Sequence, residues 1–404
     1  MNTDILTIRQ YFPSEVNPTS SYWVMEQIKG IEKYGLTSIV VSPTPKLPNF
    51  IRKKLSKKYT KPSNSFKKFM GIHIIRPGYF RIPKYKFYSL TNLLLQRSIL
   101  KGSKNLNPKL IHAHFGNDGV AAIPLKKKLS IPLIISFYGY DLSDQLPILL
   151  PYYKKLIKEG DLFLALSVDM QNDLLKIGFP ENKIKIHHLG IQIDDLVKKS
   201  KKGKKQNEFT FLIVARFSER KGIHDSIIAF SKVILQYPTI KLRIVGDGEY
   251  RFKLVKLVLD LKLTESITFI NNFNLPNPRE TVLEEMANCD VFMLTSYLTP
   301  NGSKEGTPVV LMEAQAIGKP CIGTFHAGIP EVIINNETGI LCKERDIGEI
   351  TQAMITLLEN KVLYKKYSIN ALEHIQKSFN NKIQMKKLYE IYRSFLEKYS
   401  KVDS

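Results

Sequence analysis

Short apolar runs alternate with helical patterns through the first half of the chain. Runs rich in Ile, Val, Leu and Phe that are bounded by turn residues are typical of buried strands. They predict strands at 4–12, 37–43, 72–77, 110–115, 133–139, 161–167 and 183–191. Helical spacing predicts helices over 20–35, 87–101 and 117–129, whereas 46–70 has the composition of a loop with short helices. Strands that alternate with helices predict a parallel, doubly wound sheet.

The same alternation begins again after residue 208. Further strands are predicted at 209–217, 239–248, 266–272, 290–296 and 320–325, with a short edge strand at 338–342. Residues 346–400 have a helical pattern. The lysine-rich run 198–208 has no apolar residue that a core could bury, so it predicts a linker between the two halves.

We therefore expect two α/β domains of similar size. The first domain is expected over 1–195, the linker over 196–208 and the second domain over 209–375. A C-terminal helix over 376–404 is expected to pack back on the first domain. Two such domains imply a cleft between them, and ligands of parallel sheets bind outside the carboxyl ends of the strands.

Composition is that of a folded globular protein, with 43% hydrophobic and 24% charged residues. No apolar run approaches the ~18 residues of a membrane-spanning helix. The N-terminus has no signal-peptide core and predicts the start of a strand instead. Cys289, Cys321 and Cys342 lack metal-ligand spacing, so we expect buried, reduced thiols in a cytoplasmic protein.

The positive charge is concentrated in one part of the chain. The formal net charge is +23, and residues 33–117 hold 18 Lys and Arg without any Asp or Glu. The rest of the chain has 42 Lys and Arg against 37 Asp and Glu. Such a field attracts a polyanion, and we expect an anionic membrane surface at a docking face within 46–104. The alternative is a lysine-rich genome composition, in which case these lysines merely form a solvated surface.

Aromatic residues are interleaved with these cations, which raises nucleic acid as another possible partner. Such rings can stack on bases, but they fit a core or a membrane interface equally well. No RNP, KH, zinc or helix-turn-helix signature accompanies them. We therefore expect no nucleic-acid partner. The rings are those of Phe66, Phe69, Tyr79, Phe80, Tyr85, Phe87 and Tyr88.

The segment 305–314 has the most informative chemistry in the sequence. Thr307 suits the N-cap of a helix and Pro308 its first position, and Val309 follows in the first turn. The free N–H groups and the positive dipole end of such a helix bind phosphate without a metal ion. Glu313 lies in the second turn, and Glu305 stands in the loop ahead, where Gly306 allows a ligand to approach closely. By spacing alone, a capped helix with one loop glutamate remains the alternative.

The pair Glu305 and Glu313 and the sequence around it, 305–333, resemble the retaining glycosyltransferases of family 4. Within that family the sequence is most similar to the polysaccharide-assembly branch related to the colanic-acid transferases. The resemblance covers most of the chain and is strong from 209 to 345. It implies the GT-B fold, an α/β architecture in which two Rossmann-like domains with doubly wound parallel sheets face each other across a cleft.

The resemblance also implies a role for each residue of the motif. Glu305 would contact hydroxyls of the transferred sugar, and Glu313 would hold the ribose of the nucleotide. Arg216 and Lys221 would neutralise the diphosphate leaving group. Arg216 closes a strand and Lys221 opens the next helix, so both can reach the cleft. A strand-end turn beside the nucleotide would be formed by Gly246, Asp247 and Gly248.

In the N-terminal half, the resemblance covers the strand end at His112–Gly116 and the segment 136–141. His112 and His114 match a histidine pair at the floor of the cleft, where His114 would bond the sugar or the acceptor. Tyr138, followed by Gly139 and Asp141 in the same acceptor segment, stands where the family usually has a histidine. Tyrosine can form hydrogen bonds but cannot act as a proton carrier near neutral pH unless its pKa is strongly shifted.

Two further segments differ from the family pattern. Residues 13–23 lack the paired glycines that many members have in the first loop, so backbone contact with phosphates would be looser there. Residues 187–194 resemble the family's crossover segment, which normally ends in Gly-Ile/Val-Asp; here Gln192 shifts this ending, and Asp194 takes the position of the family's aspartate. The altered Tyr138 and the absent glycines favour a second hypothesis, a non-catalytic relative that binds sugar or a partner protein.

No DxD motif is placed to hold a metal ion across a diphosphate, so we expect metal-independent chemistry and no cofactor. The resemblance implies a retaining hexosyltransferase that uses a nucleotide-sugar, with UDP preferred over GDP. The expected acceptor is a lipid-linked or growing saccharide in cell-surface polysaccharide biosynthesis. The expected location is cytoplasmic, peripheral on the inner face of the membrane.

Overall fold

The computed structural model describes residues 1–13, 20–46, 68–81, 87–142, 146–200, 208–300 and 302–400. The chain divides into two compact units. The first unit contains Met1–His187 together with Met385–Ser404, and the second contains His188–Gln384. The sequence predicts these two transitions at 195 and 376.

The first unit is built on a parallel sheet with one antiparallel edge strand. Its main strands are β1 (Asn2–Ile8), β2 (Ser38–Val41), β4 (Lys68–Phe69), β5 (Ile72–Ile75), β7 (Asn107–His114), β8 (Leu133–Ser136), β9 (Leu162–Ala165) and β10 (Ile184–Ile186). Within the described residues these eight strands follow the order β10-β9-β8-β7-β1-β2-β5-β4, and only β4 runs antiparallel. A separate parallel pair is formed by β3 (Thr44–Lys46) and β6 (Gly78–Phe80).

Helices cover the first sheet because its strands are apolar on both faces. They are α1 (Tyr22–Glu32), α2 (Tyr88–Gly102), α3 (Gly116–Leu129), α4 (Leu146–Glu159) and α5 (Val168–Ile177). The last helix of the chain also packs here. Its Leu388 and Tyr392 are buried in one cluster with Ile5, Leu110 and Leu162 of the sheet.

The second unit contains a fully parallel sheet. Its strands are β11 (Thr210–Val214), β12 (Lys241–Val245), β13 (Ile267–Ile270), β14 (Val291–Leu294), β15 (Cys321–Thr324) and β16 (Gly339–Cys342). In the described part of this unit the strand order is β13-β12-β11-β14-β15-β16. The prediction that 338–342 forms an edge strand is confirmed.

The helices of the second unit lie on both faces of this sheet. They are α6 (Ile193–Ser200), α7 (Ile223–Val233), α8 (Arg251–Asp260), α9 (Pro278–Asn288), α10 (Val309–Ala316), α11 (Ile329–Val332), α12 (Ile347–Glu359), α13 (Lys361–Ser378) and the start of α14 (Asn381–Ser400). One apolar core joins the sheet to α7 and α12, and another joins it to α9 and α10. The strand β14 is buried at all four positions, as expected for a sheet covered on both faces.

Two predicted segments differ from the structure. The helix α6 occupies the start of the predicted linker, because Ile193 and Leu196 are buried in the core of the second unit together with part of Val197. The strand predicted over 183–191 is reduced to β10, and the chain leaves the sheet at His187. The predicted loop at 46–70 lies mostly at 47–67, outside the described residues.

The three cysteines are buried free thiols, as predicted. In the described ranges, no helix combines the length and the apolar character that a bilayer span requires.

Candidate active site

The residues predicted to bind the donor follow three neighbouring strands of the second sheet. Arg216 and Lys221 come after β11, the turn 246–248 after β12, and the segment 305–309 after β14. The carboxyl ends of adjacent parallel strands meet at one edge of a sheet. The three segments therefore lie at the same edge of the second unit.

At this edge, Lys221 and Glu305 form a buried ion pair. The Lys221 Nζ atom lies 2.5 Å from Glu305 Oε1, and their side chains are 12% and 8% exposed. Ser296 donates a hydrogen bond to the same oxygen at 3.2 Å, and Arg220 Nε lies 3.9 Å from it. Burial alone would raise the pKa of Glu305, but the charges of Lys221 and Arg220 outweigh burial and hold the pKa below its usual value. Glu305 is therefore an ionised carboxylate.

The Glu305 loop is held by a histidine that the sequence analysis missed. The Glu305 backbone N–H donates to His326 Nε2 at 3.1 Å, and His326 Nδ1 lies 2.7 Å from a Glu344 oxygen. A carboxylate only accepts, so Nδ1 carries the proton and Nε2 accepts. His326 follows the strand β15, and that strand-end position was the signal that could have identified it.

The helix α10 begins one residue later than predicted. Pro308 occupies the N-cap with an extended ψ of 112°, and its carbonyl accepts from the N–H groups of Leu311 and Met312. Thr307 was predicted as the cap, but it precedes the helix. Its buried Oγ1 has no hydrogen-bond partner among the described residues. The first turn therefore starts at Val309 with a polar hydroxyl directly ahead of it.

Glu313 lies on α10, and its carboxylate is held by Arg279, which the sequence analysis missed. Arg279, on α9, donates two hydrogen bonds to its carboxylate, at 2.9 and 2.5 Å. The Glu313 side chain is only 8% exposed, whereas that of Arg279 is 54% exposed. This fork geometry fixes the orientation of the glutamate.

Arg216 lies near the turn after β12. Its guanidinium forms an exposed ion pair with Glu249 at 3.0 Å, and the structure does not bring it to Glu305. In the turn, Gly246 has a φ of 140°, and a Cβ there would lie 1.9 Å from the Ala215 carbonyl oxygen. Only glycine fits this close approach. Asp247 accepts from the N–H of Gly248 and from Asn271.

In the residues that the structure describes, no group of three His, Cys, Asp or Glu side chains is placed to hold an ion. Metal independence remains a prediction.

In the first unit, the predicted histidine pair ends β7. His112 bonds Ser136 at 2.8 Å and Tyr392 at 2.5 Å through its two ring nitrogens. His114 Nδ1 lies 2.8 Å from the Tyr138 hydroxyl, so two of the predicted acceptor residues are in contact. Burial lowers the pKa of His112 to about 3 and holds that of His114 well below its usual value. Both rings are therefore neutral.

The segment after β8 is tied to the start of α3 by Asp141. Its carboxylate accepts from the N–H of Gly116 at 3.0 Å and of Tyr138 at 2.9 Å. Burial raises the pKa of Asp141 to about 7, although these two bonds favour the charged form. Gly139 and Asp141 share a single 3-10 turn. The carboxylate therefore fixes the backbone that carries Tyr138.

A buried ion pair that the sequence analysis missed lies beside this cluster. Arg9 contacts Asp118 at 3.2 Å, and its guanidinium lies 3.9 Å from the ring centroid of Phe115. The two charged residues are 109 positions apart, so no local pattern could have paired them. Together they fix the backbone directly after the histidine strand.

The fold matches solved glycosyltransferase structures. The Anabaena protein HepE in complex with UDP and glucose superposes with a TM-score of 0.71 at 18% identity, over 97% of this chain and 100% of HepE. Sucrose-phosphate synthase from Thermosynechococcus elongatus gives a TM-score of 0.74 at 18% identity, over 98% and 99% of the two chains. The fold is therefore the GT-B fold of the glycosyltransferases.

Sequence comparison defines the family. Residues 21–195 match glycosyltransferase family 4, and residues 194–374 match the glycosyl transferases group 1. The putative colanic acid biosynthesis glycosyltransferase WcaL of Escherichia coli K12 is 30% identical over 70% of both chains. The amylovoran biosynthesis glycosyltransferase AmsK of Erwinia amylovora is 28% identical over 79% of this chain and 78% of its own. The chain belongs to the family 4, group 1 glycosyltransferases, as its motifs predict.

Proposed function

We propose that the chain transfers a hexose from a nucleotide-sugar to a lipid-linked or growing saccharide during the assembly of a cell-surface polysaccharide. The reaction retains the anomeric configuration and uses no metal ion, and the donor is a UDP-sugar in preference to a GDP-sugar. One observation supports this function above all, the buried ion pair of Lys221 and Glu305 beside the start of α10. A nucleotide-sugar needs a cation for its diphosphate and a hydrogen-bond acceptor for its sugar hydroxyls, and this pair offers both.

The diphosphate is bound by groups at the start of α10 and by Lys221. The ammonium group has three N–H donors, of which Glu305 takes one. The backbone N–H of Val309 lies in the first helical turn, where amides lack an intrahelical acceptor. The buried Thr307 hydroxyl supplies a further donor. These groups stabilise the negative charge that develops as the diphosphate leaves.

The two glutamates bind hydroxyl groups. Glu305 is ionised and accepts hydrogen bonds from the transferred hexose. Glu313 accepts from the ribose, while Arg279 holds the carboxylate in place. Arg216 reaches the diphosphate by leaving Glu249, because its ion pair with this glutamate is exposed and therefore weak in water.

In the transfer step, the acceptor hydroxyl attacks the anomeric carbon from the face that the diphosphate leaves. A bond forms between the acceptor oxygen and the anomeric carbon, and the bond from that carbon to the diphosphate oxygen breaks. The acceptor proton passes to the leaving phosphate oxygen. No protein base is required, which agrees with the neutral His114 and with a tyrosine at position 138.

The names of similar proteins support the donor and the pathway. HepE has been solved with UDP and with UDP-glucose, and WcaL and AmsK are named for colanic acid and amylovoran biosynthesis. We extend to this chain the use of a UDP-sugar and a role in polysaccharide assembly. The acceptor binds the first unit, where His114 and Tyr138 offer hydrogen bonds.

Membrane docking brings the enzyme to a lipid-linked acceptor. One exposed face of α2 carries Leu90 and Leu93 in its first half and Arg97 and Lys101 in its second half, with Phe87 directly before it. Apolar side chains enter the interface and cations contact anionic headgroups. The exposed Phe80 adds to the same basic region.

Titration calorimetry with UDP and UDP-hexoses in EDTA tests the donor site. UDP is expected to bind without metal, and Lys221→Met to weaken it by about 10- to 100-fold, because a charge-assisted bond is lost. Glu305→Gln is expected to weaken UDP-hexoses but not UDP, because the glutamate contacts the sugar. The matched control is Lys256→Met, which replaces an exposed lysine on α8.

Equal binding by Lys221→Met and the wild type would contradict the donor site, and tighter binding of GDP than of UDP would contradict the proposed nucleotide preference. The non-catalytic relative is the second candidate, because Tyr138 replaces the histidine usual in the family. It would bind UDP-hexoses without releasing UDP from them.

A further inference from the structure

We propose that a second pocket, separate from the donor site, binds an anionic sugar unit, a monosaccharide that carries a carboxylate or a phosphate. The pocket lies in the second unit beside the first turn of α7 and the start of α8. Its volume of about 260 Å³ is below that of sites for drug-sized ligands, which suits one sugar ring with one acidic group.

The polar group that points to a ligand is the carboxylate of Asp225. The residue is only 6% exposed and lines the pocket. Its Oδ1 lies 3.3 Å from His224 Nδ1, whereas its Oδ2 is buried and has no hydrogen-bond partner in the described part of the chain. An unsatisfied buried acceptor costs about 1–3 kcal/mol. A sugar hydroxyl removes that cost once the carboxylate turns Oδ2 toward the ligand and accepts a hydrogen bond from it.

Two cations at the pocket are held by tyrosine rings. Lys253 Nζ lies 4.5 Å from the ring centroid of Tyr250, and the Arg345 guanidinium lies 5.0 Å from that of Tyr297. All four residues line the pocket. Within the described residues, neither cation forms an ion pair with a carboxylate. A carboxylate or phosphate on the ligand forms ion pairs with these two cations.

The remaining acid of the pocket is already engaged. Burial and then a hydrogen bond with the Glu219 carboxylate raise the pKa of Tyr250, so the phenol stays protonated and its O–H is the donor of that hydrogen bond. Glu219 is therefore satisfied within the protein, and Asp225 is not. The pocket thus has a hydroxyl-accepting carboxylate and two cations free for an acid, which favours an anionic sugar over a neutral one.

The pocket differs from the donor site in its lining. Neither Lys221, Glu305 nor Arg216 lines it. Its own residues Ser218 and Glu219 belong to the loop that carries Lys221, so the two sites are neighbours without sharing a ligand group. An anionic sugar and UDP are therefore expected to bind at the same time.

Ligand-observed NMR titration of the full chain tests the proposal, with glucuronate, glucose 6-phosphate and glucose as probes. At least one acidic probe is expected to bind, and glucose at least about tenfold more weakly, because it lacks the charge. If only glucuronate binds, the ligand carries a carboxylate, and if only glucose 6-phosphate binds, it carries a phosphate. Saturating UDP is not expected to displace either probe.

Arg345→Gln and Lys253→Gln, both exposed positions, are expected to weaken the acidic probe by about tenfold each. Asp225→Asn is expected to weaken it too, and Lys256→Gln, on α8 together with Lys253, is expected to have no effect. Displacement by UDP, absence of binding by both acidic probes, or unchanged binding by the two cation variants would overturn the proposal. Failure of UDP to bind at all would count against the donor site alone.

Discussion

Glu305 is contacted by residues from separate loops of the second unit, which hold both its carboxylate and its backbone in place. Lys221 and Glu305 both belong to motifs that can be read along the sequence. His326 contacts the Glu305 backbone only because β14 and β15 are neighbours in the sheet. Arg279 reaches Glu313 from another helix. The charged motif residues could therefore be predicted from the sequence, but the groups that orient them could not.

Asp141 supplies a prediction about pH at the same scale. Its pKa is about 7 in the folded chain and near 3.8 when unfolded, so the folded chain takes up the proton first as the pH falls. The contribution of Asp141 to stability therefore rises as the pH falls through about 7, by about 1 kcal/mol for each pH unit. We expect the stability of the wild type relative to Asp141→Asn to increase by about 2–3 kcal/mol between pH 8 and pH 5.

Urea unfolding followed by Trp23 fluorescence measures this difference. Trp23 is the only tryptophan of the chain, and its ring lies 5.8 Å from that of Tyr138 in the first unit. Asp173→Asn is the matched substitution elsewhere in this unit. Taking the difference between two variants cancels the opposite effect of the buried neutral histidines. A difference that stays constant or shrinks toward pH 5 would refute the raised pKa.

At the scale of elements, the order of strands and helices could be predicted better than their ends. The strands are near-continuous apolar runs, so their presence is plain in the sequence. Their ends depend on contacts elsewhere in the fold, as α6 shows by extending into the predicted linker with Ile193 buried. Pro308 likewise became the cap of α10 because its own backbone is extended, which composition does not reveal.

The last helix supplies the prediction at this scale. Leu388 is fully buried against the first sheet, although it lies far from those strands in sequence. Leu388→Ala is expected to lower the free energy of unfolding of the first unit by about 2–5 kcal/mol, through lost burial and the cavity left behind. Trp23 fluorescence in urea reports this unit. The exposed Lys387→Ala on the same helix is the control, and an equal effect of both variants would argue against the packing role.

At the scale of the whole molecule, the repeated alternation of strands and helices was enough to predict two α/β units with parallel sheets, and the family resemblance implied that they are Rossmann-like. The last helix was expected to pack back on the first unit, and the structure assigns Met385–Ser404 to that unit. The distribution of charge along the chain is uneven, because 18 Lys and Arg fall in residues 33–117, which contain no Asp or Glu.

The charge distribution predicts membrane docking that depends on salt and on lipid charge. In flotation with vesicles, the chain is expected to bind phosphatidylglycerol in preference to phosphatidylcholine and to dissociate as salt rises. Arg97→Gln with Lys101→Gln is expected to weaken binding by roughly 30-fold, at ~1 kcal/mol for each cation. The control exchanges the exposed Lys256 on α8 and Lys262 just after it in the same way. Binding that ignores lipid charge would contradict the docking face.

Release of UDP from UDP-hexoses in EDTA, measured without acceptor, is the decisive test of metal-independent transfer from the Lys221 site. Slow release without metal is expected for the wild type and for Lys256→Met. The rate is expected to be about 10²- to 10³-fold lower for Lys221→Met, because one group that stabilises the leaving diphosphate is gone. Release that requires a metal ion, or that is equally fast in Lys221→Met, would rule out this donor site.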